Sequence, residues 1–249
     1  MADPILISTE DGVQTIRFNR ADKKNAITSQ MYGMIADALE AGDGADTVRV
    51  HLFLGQDGVF TAGNDIGDFL KSANGGLGDK VLRFLKALAG AKKPLVAGID
   101  GLAIGVGATM ILHCDLAFAS GRSTFRTPFI DLGLVPEAAS SLIAPQLMGH
   151  VRAFELLAAG APFSAEDALR TGMINAVVEE AELETTAQTA AQNLAAKPPE
   201  ALAIARRLLR GDRQDVLARI DEEAGHFAQR LKSQEAQTAF AAFMNKGRT

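Results

Sequence analysis

An α/β body followed by a helical C-terminal region is what this 249-residue sequence predicts, on three observations. Up to about residue 120, short apolar β-like runs alternate with segments of helical period, punctuated by Gly and Asp-Gly turns. From about residue 137 helical periodicity takes over, interrupted by one short strand. With 47% hydrophobic and 22% charged residues, there is enough apolar surface for a sizeable core. The length suits one main body with an appendage.

Taken in order, ILIST from Ile5 and VQTIRFN over 13–19 read as strands across an Asp-Gly turn. Thr28 then caps a helix over SQMYGMIADALEAG, in which Met31, Met34, Ile35, Ala38 and Leu39 recur at helical spacing and Gly42 and Gly44 mark the end. Two more strands follow, over 48–55 and 94–100, with a Gly-rich stretch over 71–80 between them that reads as a mobile loop. Further on, 137–149, 152–160, 164–172, 180–196 and 199–211 carry helical patterns, with the strand INAVVE inside the series. The last 38 residues give two more helices, with Val216, Leu217 and Ile220, then Phe240, Phe243 and Met244, on one side.

Composition narrows the chemistry. A formal net charge of -5 and a mean hydropathy of +0.08 describe a globular protein without the basic field of a nucleic-acid binder. Arg206, Arg207 and Arg210 read as a solvated helix face. Cys114 is the only cysteine, which excludes an intrachain disulfide and a cysteine-based metal site and suits a reducing compartment. There is no signal peptide, no 18-residue apolar run and no SKL-type terminus, so the expectation is a cytoplasmic protein with neither a membrane nor a nucleic acid as partner. The four histidines lack metal-ligand spacing, and His113 reads as a satisfied core histidine beside an inert Cys114.

Two glycine segments stand at strand ends. In GQDGVFTAGNDIGDFL (55–70) Asp65 can cap a helix starting near Ile66, leaving N–H groups of Gly63, Asn64 and Asp65 as donors. In DGLAIGVGATMILHCD (100–115) Gly105 and Gly107 flank Val106 at the start of an apolar helical turn. Both are equally readable as glycines that let a strand turn into a helix. Neither matches a dinucleotide or P-loop pattern, and no GxSxG elbow is present. Glu137 follows Pro136 after Phe129, Leu132, Leu134 and Val135: apolar surroundings raise a carboxyl pKa, a place in the first helical turn lowers it, and the sequence leaves open which wins.

In their order, FNRADKKNAIT (18–28), FTAGNDIGDF (60–69), the block from Lys92 to Ser120, and FRTPFIDLGLVPEAASS (125–141) resemble the crotonase superfamily of enoyl-CoA hydratases and isomerases over nearly the whole chain. The resemblance implies a spiral of ββα units over 1–196 and a helical trimerisation region over 197–249, assembled as trimers or dimers of trimers. It implies an acyl-CoA thioester as substrate, with no separate cofactor and no metal, and Asn64 and Val106 N–H groups as the oxyanion hole. By the same resemblance CoA runs along Lys24, Asn25, Ala26, Ala62, Asp65 and Ile66, with Phe227, Phe243 and Lys246 approaching the nucleotide from an adjacent subunit. The positions of the two hydratase glutamates hold Thr109 and Phe129 instead. TPFxxLGxxPExxSS resembles the peroxisomal-type Δ3,Δ2-enoyl-CoA isomerases, which implies Glu137 as single base, with Asp131 the rival carboxylate. A hydratase with displaced acids and a non-catalytic acyl-CoA binding protein are the alternatives.

Overall fold

A computed structural model describes residues 3–56, 58–72 and 77–246 of the chain; the centre of the Gly-rich loop expected at 71–80 lies outside them. Strands β1 (Ile5–Glu10) and β2 (Val13–Phe18) form a hairpin, followed by α1 (Ser29–Gly44), with Met31 N–H bonded to the Thr28 hydroxyl. Next come β3 (Val50–Leu54), β4 (Val59–Thr61), α2 (Ile66–Ser72) and α3 (Asp79–Gly90). Then follow β5 (Leu95–Ile99), β6 (Leu102–Ile104), α4 (Val106–Thr109), β7 (Leu116–Ser120) and β8 (Thr124–Arg126). The rest is α5 (Ser140–Leu157), β9 (Phe163–Ser164), α6 (Ala165–Arg170), β10 (Ala176–Val178), α7 (Leu183–Ala195), α8 (Pro199–Arg210), α9 (Gln214–Leu231) and α10 (Gln234–Lys246).

Long and short strands alternate along the chain because they belong to different sheets. Six strands form one sheet in the order β1-β2-β3-β5-β7-β10, parallel apart from β1. The short β4, β6, β8 and β9 form a second sheet. After the β1–β2 hairpin, the pairs β3–β4, β5–β6 and β7–β8 each lay one strand in each sheet before turning into helix, the spiral that the resemblance implied. All five residues of β3 and of β5 are buried, as a parallel sheet covered on both faces requires. Ala187, Ala191 and Ala195 of α7 close one face over Val13, Val50, Leu52 and Val96. The other face carries the main core, including Phe18, Phe53, Phe60, Phe84 and Phe125.

Residue 197 falls in the turn between α7 and α8, yet the helices beyond it are anchored on the body. Ile220, Phe227, Ala236 and Phe240 belong to the main core. The arginines of α8 depart from a solvated face. Arg206 is only 8% exposed and meets Asp115 at 2.8 Å, and Arg210 meets the same carboxylate at 2.9 Å. Of the three only Arg207 is exposed, because Asp115, at the start of β7, draws the inner two onto the body. No described helix is long and apolar enough to cross a membrane.

Candidate active site

The two glycine segments end in turns that touch. Gly63 has φ +81°, and a Cβ there would stand 2.6 Å from the Ile104 carbonyl oxygen; a Cβ on Gly107 would stand 2.5 Å from Thr61 Cγ2. Only glycine permits both contacts. They bring residues 64 and 106 together although 42 positions separate them in sequence. Ile27 pairs with Asn64 in a parallel bridge, giving its N–H to Gly63 O at 2.8 Å and taking the Asp65 N–H at 2.9 Å. A parallel bridge of this kind turns the N–H of the intervening Asn64 to the other side. Gly105 O accepts from Ala108 and Thr109 N–H, leaving Val106 N–H first in α4. Neither the Asn64 nor the Val106 N–H has an acceptor among the described residues.

Glu137 is 3% exposed, and its Oε1 accepts the Thr109 hydroxyl at 2.5 Å. It therefore lies against the same short helix that Val106 opens. Burial pushes its carboxyl up to about 8; the Thr109 hydrogen bond pulls the other way, and the Glu223 carboxylate adds to the rise. The balance open in the sequence is thus decided by burial. The expected place in a first helical turn is corrected: α5 starts at Ser140, and Ala138 and Ala139 both adopt positive φ, +63° and +53°. This costs backbone strain and leaves Glu137 outside the helix. The α5 N-terminus is served instead by Glu223 of α9, which accepts from Ala139 N–H at 2.7 Å, Ser141 N–H at 3.1 Å and the Ser141 hydroxyl at 2.5 Å. His113 braces the same turn through Ala138 O at 2.7 Å; burial holds its pKa down to about 4, so the neutral ring donates. Cys114 is inert, its thiol pushed up to about 12 by burial.

A cavity of about 120 Å³ opens beside the two turns, with Ala62, Asn64, Ile66 and Gly105 on its wall together with Phe69, Phe129, Phe227, Phe240 and Phe243. Phe129 is part of this carbon wall. At the adjoining rim, Ala62 N–H bonds to Lys24 O at 2.9 Å. Arg20 joins the Ala26 carbonyl at 2.9 Å and the Asp65 carboxylate at 2.8 Å. Asp65 caps α2 through Asp68 N–H, as the sequence suggested.

Three of the expected contact residues have partners within the chain. The Asn25 side chain is fully buried, donating to Val59 O and Phe60 O at 3.1 Å, so it ties the loop to β4. Phe227 is 1% exposed and packs edge-on against Phe69; Phe243 lines this chain's own cavity. Both thus pack within this chain, because α9 and α10 fold back on their own body. The Lys246 side chain lies outside the described residues. Asp131 pairs with Arg126 at 2.8 Å on the surface, away from Glu137.

Sequence reasoning passed over Tyr32, Arg20 and Glu223. Tyr32, the only tyrosine, is 1% exposed and donates to Asn64 Oδ1 at 2.5 Å. Its pKa is raised well above the ordinary value by burial and by the negative charge of Glu137. A lone phenol on the apolar face of a helix was its only signal; Glu223 sits on a polar-looking helix and gave none.

Comparison with known proteins identifies relatives of the chain. The profile of the enoyl-CoA hydratase/isomerase family matches residues 8–249. The chain is 37% identical to enoyl-CoA delta isomerase 2 of Rattus norvegicus over 97% of its own length and 63% of the relative's. It is 34% identical to peroxisomal enoyl-CoA delta isomerase 3 of Mus musculus over 96% and 78%. It thus spans under two thirds of the length of the rat protein. Among solved structures, an enoyl-CoA hydratase/isomerase of Pseudoalteromonas atlantica superposes with TM-score 0.93 at 37% identity, covering 98% of both chains. OdaA of Pseudomonas aeruginosa does so with TM-score 0.94 at 40% identity, covering 98% and 99%. On a profile match over almost its entire length and a shared fold, the chain belongs to the enoyl-CoA hydratase/isomerase family.

Proposed function

We propose that the protein is a Δ3,Δ2-enoyl-CoA isomerase. The observation that carries this is one buried carboxylate, Glu137, held by Thr109 of the short helix that Val106 opens; by the family resemblance, Thr109 and Phe129 stand where two-glutamate hydratases carry their acids. Adding water across a double bond benefits from two positioned acid/base groups; moving the bond along the chain needs one. The isomerase names of the rat and mouse relatives support the same choice.

In the reaction, the ionised Glu137 removes a proton from C2 of a 3-enoyl thioester. The electron pair passes through the carbonyl as a dienolate, and the same proton returns to C4, leaving the 2-enoyl ester and the starting carboxylate. Charge accumulates on the thioester oxygen, where the N–H groups of Asn64 and Val106 receive it, each worth about 2.7–4 kcal/mol by analogy with deleted oxyanion-hole donors. A carboxyl near 8 is strong enough to take the proton and acidic enough to return it. The CoA moiety runs along the rim of Lys24, Ala26, Ala62, Asp65 and Ile66, and the acyl chain enters the phenylalanine-lined cavity. Exposed Val151 and Phe154 on α5 and Leu208 and Leu209 on α8 support assembly as a trimer or a dimer of trimers.

The test is Glu137→Gln assayed on a 3-enoyl-CoA. Turnover falls by about 10²–10⁴-fold while affinity for a saturated acyl-CoA is kept. Wild-type turnover in the variant refutes the reading, and efficient hydration of crotonyl-CoA by the wild type replaces it with the hydratase.

A further inference from the structure

The largest concentration of unanswered charge lies away from the proposed active site, at the edge where β5 and β7 begin. A cavity of about 480 Å³ there is walled by α8 and the turn into α9, with Lys92, Arg206, Arg207, Arg210 and Arg213 on its lining against a single carboxylate, Glu200.

The inner arginines are incompletely satisfied. Arg206 gives its Nε to Asp115 and its Nη1 to Ala91 O at 2.6 Å, while its Nη2 is buried with no acceptor. Arg210 shares the same Asp115 and donates to His113 O. One carboxylate thus serves two guanidinium groups. Arg213, half-buried just before α9, has no ion pair among the described residues, and its Nε and Nη1 are buried without acceptors there. Burial first, then the neighbouring Arg210 and Arg206, press its pKa down to about 10 despite Asp115 and Asp43. Buried guanidinium N–H groups without acceptors are costly to hold, and natural proteins leave few such groups unmatched. Guanidinium forks are also matched in geometry to oxyanions, which they bind through paired N–H groups.

We propose that this cavity is an oxyanion site, distinct from the isomerase site, which takes a phosphate or carboxylate group with Arg213 and Arg207 as its principal ligands and Lys92 at its mouth. The group belongs either to a free small anion or to an acidic side chain of a second copy of this chain. The inference does not depend on the isomerase reading.

The experiment titrates the full chain with inorganic phosphate at constant ionic strength, chloride making up the balance, by calorimetry and by the thermal unfolding midpoint. Wild type is compared with Arg213→Gln and Arg207→Gln, and sedimentation velocity is run in parallel. Saturable phosphate binding that weakens about ten- to a hundredfold in both variants supports a free anion as the source. An assembly that phosphate dissociates and Arg213→Gln weakens supports the second copy. Because Arg213→Gln removes buried N–H groups that have no acceptor, the phosphate-free variant keeps the wild-type unfolding midpoint or exceeds it. Phosphate binding equal in all three proteins overturns the proposal, and so does no binding together with an unchanged assembly.

Discussion

Replacing Thr109 by valine tests the proposed base without touching it. The substitution keeps volume at a site that is 1% exposed and removes one hydroxyl, which donates to Glu137 Oε1 at 2.5 Å. A hydrogen bond to a charged acceptor is worth about 1.5–3 kcal/mol, and one pKa unit corresponds to about 1.36 kcal/mol. The Glu137 carboxyl, already raised to about 8 by burial, therefore climbs by roughly one to two further units. The sign follows from the role. The reactive form is the carboxylate, so kcat/KM rises with pH through the pKa, and raising that pKa moves the limb toward alkali. At pH 8 the ionised fraction drops from about one half to between about one tenth and one hundredth, a loss of roughly five- to fiftyfold. At pH well above the new value the loss disappears, because a more basic carboxylate abstracts the proton at least as fast. The assay is the initial rate of 3-enoyl-CoA isomerisation from pH 6 to 10, with the unfolding midpoint as the control for folding. A limb midpoint within about 0.3 of wild type, a shift toward acid, or a loss that alkali does not relieve refutes the argument; the second and third would put the hydroxyl on the substrate instead of on the base.

Gly63→Ala places a methyl 2.6 Å from the Ile104 carbonyl in a backbone at φ +81°. It forces the two amide-bearing turns apart, so kcat falls by about 10²–10³-fold, the size of a lost oxyanion donor, and the unfolding midpoint drops as well; an unchanged kcat would show that the turns do not set the donors. Tyr32→Phe removes the hydrogen bond that orients Asn64, at a cost of about 1–3 kcal/mol for the unpaired acceptor. Its kcat declines about five- to a hundredfold with KM nearly constant and the pH limb near 8 unmoved, a pattern opposite to that of Thr109→Val and readable in the same assay.

Elements whose signals are local were readable from the residues alone. The hairpin, the strands over 48–55 and 94–100, α1 with its Thr28 cap, the Asp65 cap and the break at Gly149 between two helical patterns appear where expected, whereas α3 and the short strands of the second sheet were not legible, since alternation, helical period and capping chemistry act over a few neighbours and need enough residues to show. The motif order also sufficed to single out Asn64, Val106 and Glu137. Ionisation was beyond such reasoning. Glu137 is driven toward 8 because the fold excludes water from it and because Glu223, 86 positions later, has taken the helix end that would otherwise have stabilised its charge. Asn25 turned inward, and Phe227 became core wall, for the same kind of reason: the partners that claim them, β4 for one and Phe69 for the other, lie far away along the chain. Sequence dictated which groups the protein owns and the local shapes that carry them. Three-dimensional packing dictated which of those groups are buried and which meet, because solvation and charge depend on distance through space, and a glycine pressed against a backbone carbonyl 41 residues on is invisible until the chain has folded.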